Sequence, residues 1–248
     1  MISVRLPFRS TRLASAWHRW FAERPLPADR WRFAFYYHCA TTAEVPGFAR
    51  ELKFTKLLDL RPDKDKIVAG FSKTTRYEVR RGGKEGMEFG TVTGREDFLR
   101  FYNDFALAKD LGELDPLILN AYWPGMIVTK VERDGEPLVM HGYVVDRESS
   151  RVNLVYSASQ FRGLDDRDTR RVYSRANRLL HFEDMRHFKR EGFRCYDFGG
   201  YAKDTMDKSL QAVNEFKDSF GGELVEESNF TSRSLRWLRL AKSLFRRG

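Results

Sequence analysis

The chain has 248 residues, 42% hydrophobic and 14% aromatic, a composition that supports a packed core and excludes a wholly disordered protein. No run reaches the roughly 18 to 20 apolar residues that cross a bilayer, and no apolar leader precedes the first predicted helix, so we expect a cytoplasmic protein. The net charge of +9 lies at the ends, with +5 on residues 1–34, +6 on residues 231–248 and −2 between them, which argues against a DNA-binding core.

The first half of the sequence predicts a mixture of helices and strands. A helix is predicted over 10–23, with Ser10 or Thr11 as its N-cap and the prolines of RPLPADR after its end. Aromatic and β-branched residues predict strands at WRFAFYYHCA and ELKFTKLLDL. A basic helix over 73–86 and the strand MEFGTV follow. The next helix has apolar residues at helical spacing, namely Phe98, Phe101, Tyr102, Phe105 and Ala108.

The second half predicts an antiparallel meander followed by alternating helices and strands. The meander covers 126–159, with turns at Asp134-Gly135 and near Ser150. A long helix is predicted from Thr169 to Glu191, and RCYDFGG, MDKSLQAVNEFKDSF and GELVEE follow as strand, helix and strand. This order predicts an α/β (α+β) fold, with a mostly antiparallel central sheet, a parallel central pairing and helices on both faces.

The two cysteines, Cys39 and Cys195, lie in apolar surroundings and lack the spacing of metal ligands. We expect both to be reduced core thiols, and the sequence predicts no metal cofactor. It also lacks a Ser-His-Asp arrangement or the setting of a cysteine nucleophile. Covalent catalysis by a side chain is therefore not predicted.

Two Phe-Gly-Gly triplets, which begin at Phe198 and Phe220, stand 22 positions apart. Paired glycines mark positions where the backbone needs positive φ or approaches another group closely, and both glycines of the first pair are expected to be required for this reason. Asp197 precedes the first pair inside a strand, where a buried carboxylate must be hydrogen-bonded or shifted in its pKa. It could act on an acceptor amine, or it could hold the glycine turn by accepting backbone amides.

The order of elements, with YDFGG followed by FKDSFGGELVE, resembles the Fem family, a group of GNAT-like aminoacyltransferases of peptidoglycan cross-bridges with acyltransferase relatives in surface-polysaccharide and lipid pathways. The resemblance covers about residues 51–227. It implies a GNAT-like fold in which two parallel strands splay apart, so that a thioester or ester donor lies between them and an amine attacks its carbonyl. These strands would be RVNLVYSAS and RCYDFGG.

The resemblance also implies three groups of site residues. The residues expected at the reacting carbonyl, as catalytic residues, are Lys217, Asp197 and Tyr196. The residues expected to bind the donor are Ser157, Ser159, Gln160, Gly163, Arg170, Arg171 and Phe216, because QFRGLD and RDTRR stand where a pyrophosphate loop meets a helix N-terminus. The residues expected to bind the acceptor are Arg76, Arg80, Tyr156, Gly199, Gly200 and Tyr201.

Structural roles remain open for several of these positions. Asp165 stands where the phosphate loop has a small residue, so the loop could instead be a solvated charged segment. Arg76 and Arg80 share a helix face at i, i+4 spacing, which also suits a solvated basic face. Lys217 could lie in solvent on an ordinary helix, and a histidine such as His141 in a meander strand is more often structural than a base.

The resemblance implies an N-acyltransferase that moves an acyl group from acyl-CoA to an amine of a nucleotide- or lipid-linked cell-envelope precursor. The helical hairpin that Fem proteins use against tRNA is missing, which favours acyl-CoA as the co-substrate. Aminoacyl-tRNA-dependent transfer to a peptidoglycan or lipid-linked precursor is the alternative, with tRNA as a partner. A catalytically inactive GNAT-like binding module is a third possibility. The GNAT-like domain is expected over 73–230, after a basic helix and accessory strands in 1–72.

Residues 231–248 predict a basic amphipathic helix. At about 100° per residue, one side carries Trp237, Leu238, Leu240, Ala241, Leu244 and Phe245. The other side carries Arg236, Arg239, Lys242, Arg246 and Arg247. This pattern is typical of a helix that lies among lipid headgroups. We therefore expect peripheral attachment to an anionic membrane, on the inner face of the cytoplasmic membrane, with packing of the apolar face on the protein itself as the alternative.

Overall fold

A computed structural model describes the chain over residues 1–8, 11–160 and 166–245, with the side chains of residues 8, 11–14 and 241–245 left outside the description. The strands within these ranges are β1 (Ile2–Phe8), β2 (Thr11–Trp20), β3 (Ala34–Cys39), β4 (Phe48–Asp59), β5 (Glu88–Thr91), β6 (Met126–Arg133), β7 (Glu136–Asp146), β8 (Arg151–Ser159), β9 (Cys195–Tyr201) and β10 (Glu223–Ser232). The α-helices are α1 (Lys64–Ala69), α2 (Lys73–Gly82), α3 (Arg95–Ala108), α4 (Pro116–Tyr122), α5 (Arg167–Arg190), α6 (Lys208–Asp218) and α7 (Arg233–Phe245). None of the helices in the described part is long and apolar enough to cross a bilayer.

The chain divides into two units. The first contains Met1–Thr55 and Leu224–Gly248, and the second contains Lys56–Glu223. The first unit has 15 basic and 6 acidic residues, whereas the second has 29 of each. The net charge of +9 therefore belongs to the first unit alone, because both chain ends enter it.

The first unit is built on a sheet with the strand order β1-β2-β3-β10-β4. The predicted helix over 10–23 is wrong over its described residues, since Thr11–Trp20 is the strand β2. Its backbone pairs with β1 on one side, from Ile2↔Trp20, and in parallel with β3 on the other, from Trp17↔Ala34. Pairing with strands on both sides overrides the local helical pattern. Of the two predicted N-caps, Ser10 lies outside the described residues and Thr11 is the first residue of β2.

The C-terminal helix is present as α7 and belongs to the first unit. Ser232 Oγ accepts from the N–H of Leu235 at 3.3 Å, which caps the first turn, and the Leu235 side chain is buried. The Arg239 guanidinium lies 5.3 Å from the centre of the Phe35 ring. These contacts are made by Leu235 and Arg239, neither of which belongs to the predicted apolar face, whereas Trp237 and Leu240 of that face are exposed. The side chains of the remaining positions of that helix, which include Ala241, Lys242, Leu244 and Phe245 and then Arg246 and Arg247, lie outside the described residues.

The second unit is built on a sheet with the order β4-β9-β8-β7-β6-β5. Strands β5 to β8 pair antiparallel, and β8 pairs with β9 in parallel, so the predicted α/β fold with a parallel central pairing is confirmed. The predicted Asp134-Gly135 turn is also confirmed, with φ values of 56° and 82° that suit a two-residue hairpin loop. The short helices α1 and α4 were not predicted, because neither is long enough to show apolar periodicity.

Both cysteines are thiols in the structure. Cys39 is fully buried in the first unit, and burial raises the pKa of its thiol to about 12. Because the thiolate is the reactive form, Cys39 is an inert core residue.

Candidate active site

Strands β8 and β9 separate part-way along their length. Their parallel pairing joins Arg151–Asn153 to Cys195–Asp197, one residue to one. Both strands then continue, to Ser159 and to Tyr201, and a cavity of about 510 Å³ opens beside them. This is the splayed arrangement that the resemblance implies for a donor site.

The cavity is open on one side and is lined by the two strands and by residues of α3, α5 and α6. The strand residues that line it are Leu154, Val155, Ser157, Ser159, Phe198, Gly199 and Gly200. The helix residues that line it are Phe105, Lys109, Asn177, His181, Ala212, Val213, Phe216 and Lys217. Among these described lining residues are two lysines and a histidine but no carboxylate. Most of the other lining residues are apolar, and the lysines give the cavity wall a positive charge.

A β-bulge in β8 lets two consecutive residues reach the cavity. The register places Tyr156 opposite Gly142 and Leu154 opposite Tyr143, which leaves Val155 as an extra residue with no partner on β7. Strict alternation predicts Leu154 and Val155 on opposite faces, and that prediction is wrong at the bulge. Bulges re-aim backbone and side chains in this way.

Asp197 is fixed by several donors at the point where the strands separate. One carboxylate oxygen accepts from the N–H of Gly199 at 2.8 Å. The other accepts from the Asn153 amide at 2.6 Å and from the Arg151 guanidinium at 2.5 and 3.1 Å. The side chain has no exposed surface. This arrangement favours the structural alternative, in which Asp197 holds the glycine turn.

The two glycines of the first pair, Gly199 and Gly200, differ in backbone conformation and in the space around them. Gly199 has a φ of 75°, and a Cβ there would lie 2.7 Å from the carbonyl oxygen of Leu154. Gly200 has no positive φ, and a Cβ there would meet no heavy atom within 4 Å. The expectation that both glycines are required is therefore wrong for Gly200, since a side chain fits at that position. The second pair, Gly221 and Gly222, lies just beyond α6 with φ values of 78° and 83°.

Lys217 connects α6 to the Gly199–Gly200 turn inside the cavity. Its ammonium group donates to the carbonyl oxygens of Gly199, at 3.3 Å, and Gly200, at 2.5 Å. Burial lowers the pKa of Lys217 to about 8, and the charge of Asp197 opposes this shift. The Phe216 ring lies 5.4 Å from the His181 ring, with the Arg178 guanidinium 4.9 Å from its centre. The predicted Phe216-Lys217 pair thus lies in the cavity wall rather than in solvent.

A buried polar network that the sequence did not predict lies behind the cavity wall. His181 Nδ1 is 2.7 Å from the Tyr196 hydroxyl, which is 2.6 Å from the Tyr143 hydroxyl. The Tyr143 hydroxyl donates to Asp184 at 2.6 Å. His141 bonds through Nδ1 to the same carboxylate oxygen at 2.8 Å. Tyr196, predicted at the reacting carbonyl, is fully buried within this network.

Burial shifts the pKa of three members of the network, Tyr143, Tyr196 and His181. Burial, followed by the charge of Asp184, raises the pKa of both Tyr143 and Tyr196 well above the ordinary value, so both phenols are protonated. Burial also holds the pKa of His181 well below its usual value, aided by the positive charges of His141, Lys217 and Arg178. His181 is therefore a neutral imidazole. The i, i+3 spacing of His181 and Asp184 on the buried face of α5 was the available sequence signal for this network.

The other residues predicted to bind the donor are spread over different places. Ser157 and Ser159 line the cavity. Gln160 lines a separate cavity beside α3, and its N–H donates to the carbonyl of Leu138 at 3.3 Å. Gly163 lies outside the described residues. Arg170 and Arg171 are exposed in the first turns of α5. The Arg171 guanidinium forms an ion pair with Asp168 at 3.1 Å.

The residues predicted to bind the acceptor are not gathered by the fold either. The Arg76 guanidinium donates to the carbonyl oxygens of Ala69 and Phe71, at 3.0 and 2.7 Å, and so closes the end of α1. Arg80 is exposed on α2. The Tyr156 ring packs against core rings, at 5.2 Å from Tyr102 and 6.0 Å from Phe98. The Tyr201 hydroxyl donates to Asp218 at 2.8 Å, and Gly199 and Gly200 alone of this group line the cavity.

Comparison with known proteins finds similarity in structure only. No protein-family model matches the sequence. No curated protein matches it either. The structure is similar to that of FemX, with a TM-score of 0.58 and 15% identity over 78% of this chain and 68% of that one. It is also similar to a structure assigned as the C-terminal domain of a lysylphosphatidylglycerol synthetase from Agrobacterium fabrum, with a TM-score of 0.55 and 15% identity over 92% of this chain and 82% of that one.

The L-PGS protein from Bacillus licheniformis has a similar structure as well, with a TM-score of 0.52 and 12% identity over 82% of this chain and 68% of that one. At these identities the similarity establishes the fold. The predicted resemblance to the Fem-type, GNAT-like fold is confirmed.

Proposed function

We propose that this protein is an N-acyltransferase that transfers an acyl group from acyl-CoA to an amine of a nucleotide- or lipid-linked cell-envelope precursor. The observation that carries the proposal is the cavity at the splayed ends of β8 and β9, with Lys217 in its wall. The fold shared with FemX, with the lysylphosphatidylglycerol synthetase domain and with L-PGS supports a transferase.

The cavity supplies what direct attack on a thioester requires. When an amine adds to the acyl carbon, negative charge develops on the carbonyl oxygen, and donors placed in advance for that oxygen are the largest catalytic contribution in acyl transfer. The candidate donors in the cavity wall are the Lys217 ammonium and the peptide groups around the Val155 bulge. The apolar residues, such as Phe105 and Phe198, exclude water from the acyl chain.

The charge of the cavity favours acyl-CoA as the donor. Lys109 and Lys217 line it, and no described lining residue is a carboxylate. An aminoacyl donor carries an α-ammonium group, which would lie near the two lysines. Placing like charges next to each other costs several kcal/mol. A neutral acyl chain avoids that cost, and the phosphates of coenzyme A complement the lysines.

Aminoacyl-tRNA-dependent transfer to a peptidoglycan or lipid-linked precursor is the second candidate. It is favoured by the similarity to lysylphosphatidylglycerol synthetases, whose name describes a phospholipid that carries a lysyl group. In that case the α-ammonium of the donor would need an acidic partner from the acceptor or from outside the described cavity wall.

Isothermal titration calorimetry with the full-length protein separates these candidates. We expect binding of acetyl-CoA or a longer acyl-CoA, and weaker binding of coenzyme A without an acyl group, because the apolar cavity takes up the chain. Binding of charged tRNA but of no acyl-CoA would replace the first candidate by the second. Binding of neither donor would contradict both and leave an inactive binding module.

We further propose that α7 holds the enzyme at an anionic membrane, next to a lipid-linked acceptor. Trp237 and Leu240 are 65% and 49% exposed. Together with Arg233, Arg236 and the segment 47–49 they line an open groove of about 460 Å³. The arginines suit lipid phosphates, tryptophan is favoured at the level of the headgroups, and the first unit carries the whole net charge.

Co-sedimentation with vesicles of phosphatidylglycerol tests the membrane proposal. Each basic residue near an anionic surface contributes about 1 kcal/mol, so replacing Arg233 and Arg236 by glutamine is expected to weaken binding by about 30-fold. Replacing the exposed Lys84 of the second unit by glutamine is the matched control. Equal binding by wild type and both variants, unaffected by salt, would refute the proposal.

A further inference from the structure

A continuous chain of hydrogen bonds links the cavity wall to a buried carboxylate. It runs from His181 Nδ1 to Tyr196 at 2.7 Å, from Tyr196 to Tyr143 at 2.6 Å and from Tyr143 to Asp184 Oδ2 at 2.6 Å. His181 is 3% exposed, and the other three residues are fully buried. No water is needed to complete the connection, because every step is a direct contact.

The carboxylate determines the direction of every bond in this chain. An ionised carboxylate can only accept, so the one hydroxyl hydrogen of Tyr143 is donated to Asp184. The oxygen of Tyr143 must then accept the hydrogen of Tyr196. The oxygen of Tyr196 in turn must accept from His181, so Nδ1 carries the proton. A neutral imidazole has one N–H, and Nε2 is therefore left with a lone pair and no proton.

His141 is a second partner of the Asp184 carboxylate. Its Nδ1 bonds to Asp184 Oδ2 at 2.8 Å and its Nε2 bonds to Asn177 Oδ1 at 3.0 Å. The Asp184 oxygen at the end of the chain is thus held by both Tyr143 and His141.

The surroundings of His181 favour the neutral base. The cationic groups that face it are His141 from β7, Arg178 from α5 and Lys217 from α6, and its polar neighbour on β9 is the Tyr196 hydroxyl. His181 lines the cavity, and in the described part of the chain its hydrogen bond is made through Nδ1. Nε2 is therefore the ring atom left for a group in the cavity.

We infer that His181 is the general base of the transfer, and that Tyr196, Tyr143 and Asp184 are positioning residues that keep its proton on Nδ1. The inference rests on the proposed function. The nitrogen of the acceptor amine forms a bond to the acyl carbon, and its proton passes to Nε2. The C–S bond of the thioester then breaks, and the proton moves from Nε2 to the leaving sulfur. The products are an amide and a thiol, and the imidazole is again neutral.

The position of the proton can be measured without a substrate. The chain has five histidines, so ¹⁵N-histidine NMR of the full-length protein, with His181→Gln for assignment, isolates the His181 ring. We expect the neutral Nδ1–H form to persist as the pH passes through about 6.5, the usual histidine pKa. Tyr196→Phe keeps the ring but removes the hydroxyl that accepts from Nδ1. Part of the His181 population should then shift to the Nε2–H tautomer. An imidazolium or an Nε2–H form in the wild type, or a Tyr196→Phe spectrum like that of the wild type, would overturn the inference.

Kinetics tests the catalytic part. A general base typically raises the rate by about 10²- to 10⁴-fold. With glycinamide as the acceptor, the His181→Gln variant should therefore release thiol from acyl-CoA more slowly by that factor. Its affinity for acyl-CoA should be unchanged. His187→Gln, on the same helix and beside Phe89, is the matched control and should keep the wild-type rate. Full turnover by His181→Gln would refute this inference but not the proposed function. A wild-type protein that binds no acyl donor would refute the proposed function and leave the NMR result unaffected.

Discussion

Replacing Lys217 by methionine is expected to lower the rate of acyl transfer by about 10²- to 10³-fold, the usual effect of losing one well-placed donor to a developing oxyanion. The methionine keeps the aliphatic stem against Phe216 but removes the charge and the bonds to the Gly199 and Gly200 carbonyls. Because the removed ammonium is partly buried, the melting temperature should change little. Thiol release from acyl-CoA and thermal unfolding measure the two effects on the same samples.

Lys208 provides the control for this substitution. It is exposed on the first turn of α6, and Lys208→Met should retain wild-type turnover. If Lys217→Met also transfers at the wild-type rate, the lysine has no role in the reaction.

The pKa of Lys217 adds a dependence on pH. Burial lowers this pKa to about 8, so the ammonium form is present below that pH and is lost as the pH rises through it. Wild-type transfer should therefore decline on the alkaline side of about pH 8. Lys217→Arg keeps its charge to much higher pH, and whatever activity it retains should not show that decline.

Replacing Gly199 by alanine is expected to lower the free energy of unfolding by about 1–3 kcal/mol for a side chain held at positive φ, with a further cost from contact with the Leu154 carbonyl. A Cβ would lie 2.7 Å from that oxygen. The contact falls where β8 and β9 separate, so transfer should fall together with stability. Urea unfolding and the transfer assay measure the two effects.

Gly200→Ala is the matched control in the next residue. Its Cβ would meet nothing within 4 Å and its φ is not positive, so the substitution should leave the urea midpoint unchanged or raise it slightly. Equal midpoints for the two alanine variants would show that Gly199 adopts an ordinary extended conformation in solution.

Much of the second unit could be predicted because its signals are local. Apolar spacing predicted α3, Asp134-Gly135 predicted the β6–β7 turn, and the resemblance carried by the two Phe-Gly-Gly triplets implied that β9 and α6 lie beside one site. The family resemblance implied that Phe216 and Lys217 lie at the donor site, and both residues line the cavity.

The sequence by itself determined the order of elements in the second unit and the positive charge at both chain ends, because these follow from residue periodicity and composition, whereas the splayed strands were implied by the family resemblance. Only the tertiary structure decided that residues 11–20 form a strand, since that strand is fixed by pairing with β1 and β3 and not by its own periodicity. The Val155 bulge arises from the register of β7 against β8. The protonation of His181 depends on a carboxylate reached through two tyrosines on different strands, and hydrogen-bond direction propagates only through contacts that folding creates.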